Sequence, residues 1–280
     1  MSNFVRIKEE DRIKIFNDLK KEIGIPWREF YFKFKISKGS FFNYLSGRNA
    51  IPEELFNSWS TLARINIRDK NIISKPSYKK KIISNFKLDK DLAEILGVLN
   101  GDGHVSKFKY EICVVGSILE RDYYNYLKML FEKKFGTQFT LREEGTKFKL
   151  RLYSKELSNR LVKYYGLPKG NKIGKLSIYS KLWKSKNMLK RYIRGLYDTD
   201  GCFHIRRKND PMISITSADS LFLQDIIKAL NYLGYNTAKG NQRVFIYRKK
   251  DVNMFFKEIE PSNSKHLKKY RGYSEQASIA

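Results

Sequence analysis

Residues 92–103 read LAEILGVLNGDG, and residues 191–201 repeat the end of this pattern as RYIRGLYDTDG. When the two stretches are aligned, Asp200 lies 98 positions after Asp102, and a glycine follows each aspartate. Both stretches carry apolar residues at helical spacing, so each predicts a helix that ends at its Asp-Gly pair. The repeat therefore predicts two helices that meet and bring the two aspartates together.

Small residues recur along one edge of both predicted helices. Gly97 and Gly101 lie in the first stretch, and Gly195 and Thr199 occupy the same positions in the second. Positions i and i+4 share one side of a helix, and small side chains there let two helix backbones approach closely. We therefore expect these four residues to form the interface between the two helices.

The aspartates at the ends of these helices predict a metal site. A carboxylate at the carboxyl end of a helix faces the negative end of the helix dipole, which is unfavourable without a cation. Asp102 and Asp200 would also repel each other, so the pair favours a hard divalent cation with oxygen ligands, Mg²⁺ first. We expect Gly103 and Gly201 to end the helices in a left-handed conformation.

The composition indicates a folded protein that binds a polyanion. The 280 residues include 56 Lys and Arg against 29 Asp and Glu, which gives a net charge of +27. Aromatic residues make up 14% of the chain, which is untypical of a disordered polycation. Codon bias in an AT-rich genome explains part of the lysine count but not the two motifs. Nucleic acid is the expected partner.

Cysteine and histidine spacing argues against a structural zinc site. Cys113 and Cys202 form no CxxC pair, and the three histidines are scattered along the sequence. The low cysteine count fits a reducing compartment. No apolar run has the length of a signal peptide core or a membrane span, so we expect a cytoplasmic, nucleoid-associated protein with no membrane partner.

Residues 1–66 predict a small all-α domain. Helical periodicity covers residues 11–19, 27–34 and 40–45, and Pro52 opens a fourth helix. A polar, basic connector, residues 67–90, follows this domain and is predicted to be a linker. The outline of helix, short turn and helix is that of a helix-turn-helix.

Residues 36–48, ISKGSFFNYLSGR, resemble the second half of a phage-repressor-type helix-turn-helix. In that family the corresponding helix enters the major groove of DNA. The resemblance implies DNA contacts by Lys38, Ser40, Asn43, Tyr44 and Arg48. The alternative is a helical domain that packs on the rest of the chain and contacts no DNA.

From residue 91 onward the pattern predicts two αββαββα units, residues 91–188 and 189–280, in an α+β fold with pseudo-twofold symmetry. Period-two alternation marks the strands, and in residues 147–153 the odd positions are basic or polar while the even ones are apolar. Such a strand has one buried face and one basic face. The two sheets would form a saddle for DNA.

Each unit contributes candidate DNA contacts to this saddle. The first unit offers residues on the predicted strands 104–110 and 147–153, and the second on strands 202–208 and 242–248. The candidates are Lys107, Lys109, Lys147, Lys149, Arg151, Tyr153, Arg206, Lys208, Arg243 and Tyr247. Because the two sets differ in sequence, we expect the recognised site to be asymmetric.

The two motifs resemble those of single-chain LAGLIDADG homing endonucleases. The resemblance covers about residues 88–272 and includes GLPKGNK at 166–172 and PSNSKH at 261–266. It implies a monomer that straddles double-stranded DNA and cuts both strands of a long site with Mg²⁺, for which Mn²⁺ substitutes. It also implies a role in intron homing.

The resemblance also implies site residues. The last acidic residue of each motif is the metal ligand in this family, which points to Asp102 and Asp200, with the backbone of Gly101 and Thr199 beside them. A lysine near the end of each repeat points to Lys172 and Lys265 as catalytic residues, with Lys268 as a substitute for Lys265. Asp198 is interpreted as a helix-surface residue or a structural residue of the motif, and not as a third ligand.

Two other functions use the same fold. An intron maturase would bind the intron RNA, and a non-cleaving regulator would keep only DNA binding. The presence of both aspartates favours the endonuclease over the regulator, whereas maturase function leaves no motif in this sequence. Neither the DNA sequence of the target nor the setting of the gene, in an intron or free-standing, can be read from the residues.

Overall fold

The structure is a computed structural model that describes residues 4–64, 71–73, 83–206 and 210–279. The chain divides into two compact units, Met1–Lys81 and Ile82–Ala280. The predicted linker, residues 67–90, therefore does not form one connector. A strand of the first unit occupies Asn71–Ile73, and the first helix of the second unit begins at Lys90.

The first unit combines four helices with a small antiparallel sheet, so the prediction of an all-α domain is wrong. Its elements are β1 (Phe4–Arg6), α1 (Glu9–Ile23), α2 (Trp27–Lys33), α3 (Lys38–Leu45), β2 (Ile51–Pro52), α4 (Glu53–Leu62) and β3 (Asn71–Ile73). The strand order is β2-β1-β3. Strands of two or three residues are too short for a period-two pattern, which is why the sequence did not reveal them.

The second unit contains the predicted repeat. Its first copy consists of α5 (Lys90–Asn100), β4 (Gly103–Val105), β5 (Glu111–Ser117), α6 (Arg121–Phe135), β6 (Thr140–Glu144), β7 (Lys147–Tyr153) and α7 (Lys155–Tyr165). The second copy consists of α8 (Lys186–Asp200), β8 (Gly201–Ile205), β9 (Pro211–Thr216), α9 (Ser220–Tyr232), β10 (Ala238–Lys239), β11 (Arg243–Ile246) and α10 (Lys249–Ile259). Both copies have the αββαββα order, which confirms the predicted fold class.

A further helix, α11 (Ser264–Ile279), follows the second copy and was not predicted. Its mixed apolar and charged sequence has a weak helical periodicity, so it gave no clear signal. Tyr273 of this helix is buried in the core of the unit. In the described part of the chain, no helix combines the length and the apolar character that a membrane span requires.

The two sheets are antiparallel and have the orders β4-β5-β7-β6 and β10-β11-β9-β8. In β7 the side chains of Phe148, Leu150 and Leu152 are buried, whereas Lys147 and Tyr153 are exposed. Side chains alternate between the two faces of a strand, so this pattern confirms the predicted half-buried strand.

Helices α5 and α8 lie at the centre of the second unit. All residues of α5 from Leu92 to Asn100 are buried, and both copies contribute to one continuous apolar core around the two helices. A helix that is apolar on nearly every side needs burial on every side. The core therefore holds the ends of α5 and α8, and the motif residues that follow them, in a defined position.

Candidate active site

The helices α5 and α8 cross in direct backbone contact. A Cβ atom at Gly97 would overlap the carbonyl oxygen of Tyr192 and lie 2.8 Å from the amide nitrogen of Leu196. A Cβ atom at Gly195 would likewise overlap the carbonyl oxygen of Glu94. The two glycines thus play reciprocal roles at the crossing, as the small-residue spacing predicted.

The same contact continues to the carboxyl ends of the helices. A Cβ atom at Gly101 would overlap the side-chain hydroxyl of Thr199 and lie 3.1 Å from Oδ2 of Asp200. The Thr199 hydroxyl turns back to the carbonyl oxygens of its own helix, 3.1 Å from that of Gly195. The carboxylate of Asp200 consequently lies against the turn that carries Asp102.

The predicted left-handed caps are wrong. Neither Gly103 nor Gly201 has a positive φ, and Gly201 has an extended conformation with φ −90° and ψ 159°. Glycine is required there for another reason, because a Cβ atom at Gly103 would lie 2.6 Å from the carbonyl oxygen of Leu99. At Gly201 it would overlap the carbonyl oxygen of Tyr197. Both glycines let the outgoing strand pass close to the last helical turn.

Both aspartates are harder to ionise than an exposed carboxyl group, because both are buried. Burial, together with the neighbouring Asp102 carboxylate, raises the pKa of Asp200 to about 7. Burial also raises the pKa of Asp102, Glu120 adds to the shift, and Lys265 and Lys172 oppose it. The two lysines therefore compensate only part of the negative charge, and a divalent cation between the carboxylates would stabilise the ionised pair.

The donors at the site fit Mg²⁺. No cluster of three or more His, Cys, Asp or Glu side chains able to hold a metal occurs in the residues that the structure describes. Mg²⁺ often binds through only one or two carboxylates and completes its shell with water and substrate phosphate oxygens. The carboxylates of Asp102 and Asp200 supply that protein part, because the close helix contact at Gly101 brings Oδ2 of Asp200 against the turn that carries Asp102.

Lys172 lies at the carboxyl end of α5. Its Nζ donates to the carbonyl oxygens of Asn100, at 3.0 Å, and of Gly101. These carbonyl groups form the negative end of the helix dipole, so the ammonium group is well placed there. Burial lowers the pKa of Lys172. Lys172 thus donates to the Gly101 carbonyl oxygen, but that oxygen has a second lone pair, so the predicted backbone contacts of Gly101 and Thr199 with the metal stay predictions.

Lys265 has a different environment. Its Nζ forms an ion pair of 2.6 Å with Oε1 of Glu120, which belongs to the first copy. Lys268, the predicted substitute, is exposed on α11. The structure thus brings Lys172 and Lys265 to the aspartates, and the sequence analysis missed Glu120. Glu120 follows β5 by three residues, at a position that no motif marks.

Asp198 and Asn100, which occupy the same motif position, anchor loops of their own repeats. Asp198 is buried and accepts hydrogen bonds from the backbone amides of Ser262, at 2.8 Å, and Asn263, at 3.1 Å. Burial raises its pKa to about 7. Asn100 donates through Nδ2 to the carbonyl oxygen of Ser177 at 3.3 Å. Asp198 therefore has the structural role that the sequence indicated.

The first sheet presents a basic face that also carries two acids, Glu111 and Glu144. Lys149, Arg151 and Tyr153 share this face with the buried Glu111, which lies 3.0 Å from Nζ of Lys149. Burial opposes the ionisation of Glu111, but hydrogen bonds from Lys149 and Tyr153 hold its pKa below the usual value. Glu111 thus pairs with two basic side chains of β7, Lys149 and Arg151. No sequence pattern singled it out.

Two of the other predicted contacts of the first copy, Lys107 and Lys109, lie outside the strands. Strand β4 ends at Val105, so Lys107 and Lys109 are exposed residues of the following turn and not of a strand as predicted. The Lys107 ammonium lies 5.3 Å from the ring centre of Phe108. Lys147 is exposed at the start of β7, on the basic face.

The sequence predicted a basic face on the second sheet as well. In the residues that the structure describes, this face carries fewer basic side chains than predicted. Arg243 shares a face with Phe245 on β11 and with Ser214 and Thr216 on β9. Arg206 pairs with Asp210 and stacks on Tyr247, and Lys208 lies outside the described residues.

Helix α3 of the first unit exposes only part of its predicted DNA contacts. Lys38 and Arg48 are exposed, and Ser40 and Asn43 are half-buried. Tyr44 packs edge-on against Trp59 with ring centres 6.3 Å apart, so its prediction as an outward residue is corrected. Tyr44 is half-buried and packs against the apolar core of the first unit, to which Trp59 belongs.

The raised pKa of Asp200 predicts that the stability of the metal-free protein depends on pH. The folded state binds a proton at Asp200 up to about pH 7, whereas the unfolded state releases it near the ordinary aspartate pKa of 3.8. Stability therefore falls as the pH rises from about 4 to 7. Above pH 7, in chelator, Asp200→Asn should stabilise the protein by about 1–2 kcal/mol, or roughly 3–6 °C, after a discount for solvent screening.

Thermal unfolding of both proteins from pH 4 to pH 8 checks this prediction. The difference between Asp200→Asn and the wild type should vanish near pH 4. The exposed Asp122 provides the control, since Asp122→Asn removes the same charge outside the site. An equal gain in the two variants at pH 8 would contradict the burial argument.

Residues 187–260 match the family model described as a LAGLIDADG-like domain. Three solved structures are similar to the chain. I-WcaI bound to its DNA recognition sequence has 14% identity and TM-score 0.48 over 66% of this chain and 88% of its own. I-SmaMI bound to uncleaved DNA with calcium ions has 14% identity and TM-score 0.45 over 68% and 90%. I-DmoI with DNA and Mn has 16% identity and TM-score 0.44 over 61% and 96%. No curated protein matches the chain.

Proposed function

We propose that this chain, which carries a LAGLIDADG-like domain in residues 187–260, is a divalent-metal-dependent endonuclease that cuts both strands of a long, asymmetric DNA site. The observation that carries the proposal is the contact between the ends of α5 and α8. This contact holds Asp102 and Asp200 together at a position where their negative charge is only partly compensated. Because the chain retains both Asp102 and Asp200, DNA cleavage is favoured over a purely regulatory role.

Different residues of the chain have different roles in the proposed phosphodiester hydrolysis. Asp102 and Asp200 would hold Mg²⁺, which neutralises charge on the reacting phosphate and activates water for in-line attack. Lys172 lies beside both carboxylates and can donate to a phosphate oxygen as negative charge develops. The basic face of the first sheet neutralises DNA phosphates and fixes the duplex against the site.

A library experiment tests the proposal. A plasmid library with randomised sites is incubated with the full chain and Mg²⁺ or Mn²⁺, and the ends of the cut molecules are sequenced. We expect double-strand breaks at one asymmetric sequence and no breaks in excess chelator. Cleavage that persists in chelator, or the absence of any site-specific cleavage, would refute the proposal. Added intron RNA that blocks cleavage would support maturase function as a second activity.

We infer that the enzyme works as a monomer, because one chain supplies both motifs and both sheets. The asymmetry of the site follows from the two sheets. Lys149 and Arg151 face outward on the first sheet, whereas Phe245 shares the corresponding face of the second. Double-stranded DNA as substrate also supports our proposal of a cytoplasmic, nucleoid-associated protein.

The first unit would add a second DNA contact through the exposed Lys38 and Arg48 of the α3 region. The double variant Lys38→Ala, Arg48→Ala should weaken DNA binding about 10-fold and reduce the slope of log K against log salt by about 2, since each phosphate contact releases roughly one counterion. Cleavage at saturating DNA should stay unchanged. Fluorescence anisotropy at several salt concentrations measures both quantities.

The double variant Lys14→Ala, Lys21→Ala is the matched control for charge, because both are exposed lysines of the same unit on α1. If the control weakens binding as strongly as the loss of Lys38 and Arg48, the unit contributes only general electrostatics. That result would contradict a helix-turn-helix contact.

A further inference from the structure

Two loops of the second unit carry the lysines of the site. The first lysine loop, residues 171–177, follows the first copy and contains Lys172. The second lysine loop, residues 262–265, follows the second copy, leads into the first turn of α11 and ends at Lys265. Motif residues of the same copy hold one side of each loop, as described for Asn100 and Asp198. The other side of each loop contacts the opposite copy.

Asp219 of the second copy holds the first lysine loop. Its Oδ1 caps α9 by accepting from the amides of Leu221 and Phe222, both at 3.1 Å. Its Oδ2 accepts from the loop amides of Gly174, at 2.7 Å, and Leu176, at 3.3 Å. An N-cap needs only one of the two carboxylate oxygens, so the second oxygen is available to the loop.

Glu120 of the first copy holds the second lysine loop. Its Oε1 accepts from Nζ of Lys265 at 2.6 Å and from Nδ2 of Asn263 at 2.9 Å. Glu120 and Asp219 occupy similar places, because each lies at the start of the helix that follows the first hairpin of its copy. Each acid thus reaches across to the lysine loop of the other copy.

We propose that Asp219 and Glu120 are positioning residues, and that each fixes the catalytic lysine that follows the opposite copy. This inference rests on the proposed endonuclease function. Its consequence is that neither half of the site is complete by itself. The second copy determines where Lys172 lies, and the first copy determines where Lys265 lies, so a disturbance of one half changes the chemistry of both.

Asp219→Asn separates the positioning role from the structural one. Asparagine is as good an N-cap as aspartate, so its Oδ1 keeps the cap of α9. Its amide group replaces Oδ2 and cannot accept hydrogen bonds from Gly174 and Leu176. The variant therefore releases the first lysine loop while the helix remains capped. We expect cleavage at saturating DNA and Mg²⁺ to fall about 10- to 100-fold, as for other lost positioning contacts.

Asp89→Asn is the matched control. Asp89 caps α5 through Oδ1, which accepts from the amide of Leu92 at 2.9 Å, and its Oδ2 pairs with Lys134 at 2.6 Å. The substitution makes the same chemical change at an N-cap and touches no lysine loop. We expect a wild-type cleavage rate in this control and melting temperatures within about 3 °C of the wild type in both variants.

A double-mutant cycle tests whether Asp219 acts through Lys172. Because both changes remove one function, Asp219→Asn should cause no further loss of cleavage in a Lys172→Met background. In the same way, Glu120→Gln should cause no further loss in a Lys265→Met background. Fully additive losses in both cycles would overturn the proposal, since they would assign the acids a role independent of the lysines.

Hydrogen exchange of the metal-free protein provides a readout besides activity. The amides of residues 174–176 should exchange faster in Asp219→Asn than in the wild type or in Asp89→Asn. Unchanged exchange, or wild-type cleavage by Asp219→Asn, would overturn the inference. If the wild type cleaves no DNA while the loop exchange rises as expected, the proposed function fails and the positioning contact stands.

Discussion

Asp102→Asn and Asp200→Asn are each expected to reduce DNA cleavage at least about 1,000-fold, because either change removes a charged oxygen ligand worth several kcal/mol in the transition state. DNA affinity should change by less than about 3-fold, since our proposal assigns the phosphate contacts to the basic face of the first sheet and not to the acids. Asparagine preserves the shape of the side chain. The loss would therefore report the missing charge and not a packing defect.

Single-turnover assays on DNA labelled separately on each strand would measure this effect, with Mg²⁺ and with chelator. Binding is measured in Ca²⁺ by anisotropy. The exposed Asp122 again gives the control, and Asp122→Asn should cleave at the wild-type rate. Retention of double-strand cleavage by either active-site variant would sink the assignment of the metal ligands. A variant that nicks only one strand would reveal that each aspartate serves one strand.

Gly195→Ala should lower the free energy of unfolding by about 3–5 kcal/mol, in the range of severe core substitutions. The new Cβ atom would overlap the carbonyl oxygen of Glu94 and lie 2.9 Å from the amide nitrogen of Val98. Both are backbone atoms of α5, so no flexible side chain can move aside. The two helices must separate, and the core of both copies loses contacts with them.

Urea unfolding with the midpoint and slope fitted separately checks this prediction. Gly272→Ala is the control in the same unit, because Gly272 lies in α11 with open space around its Cβ position. Alanine favours a helix over glycine by about 1 kcal/mol, so the control should be neutral or slightly stabilising. A Gly195→Ala midpoint equal to that of the wild type would show that the crossing tolerates a wider separation.

Much of the second unit could be predicted because its signals are local and periodic. The small residues at Gly97 and Gly195 indicated a helix contact, and the alternation in residues 147–153 indicated a strand with one basic face. Asp102 and Asp200 followed from their equal positions in a repeat. The first unit was harder, since its strands are too short for any period and Tyr44 packs inward against Trp59.

The sequence alone therefore determined the two Asp-Gly helices, their small-residue contact and the αββαββα order, because neighbouring residues encode helix and strand periodicity. Only the tertiary structure decided that Lys172 lies on the end carbonyl groups of α5 and that Asp219 and Glu120 hold the lysine loops of the opposite copies. These contacts join residues that are far apart in the chain, and only the packing of α5 against α8 brings them together. No pattern within either copy contains that information.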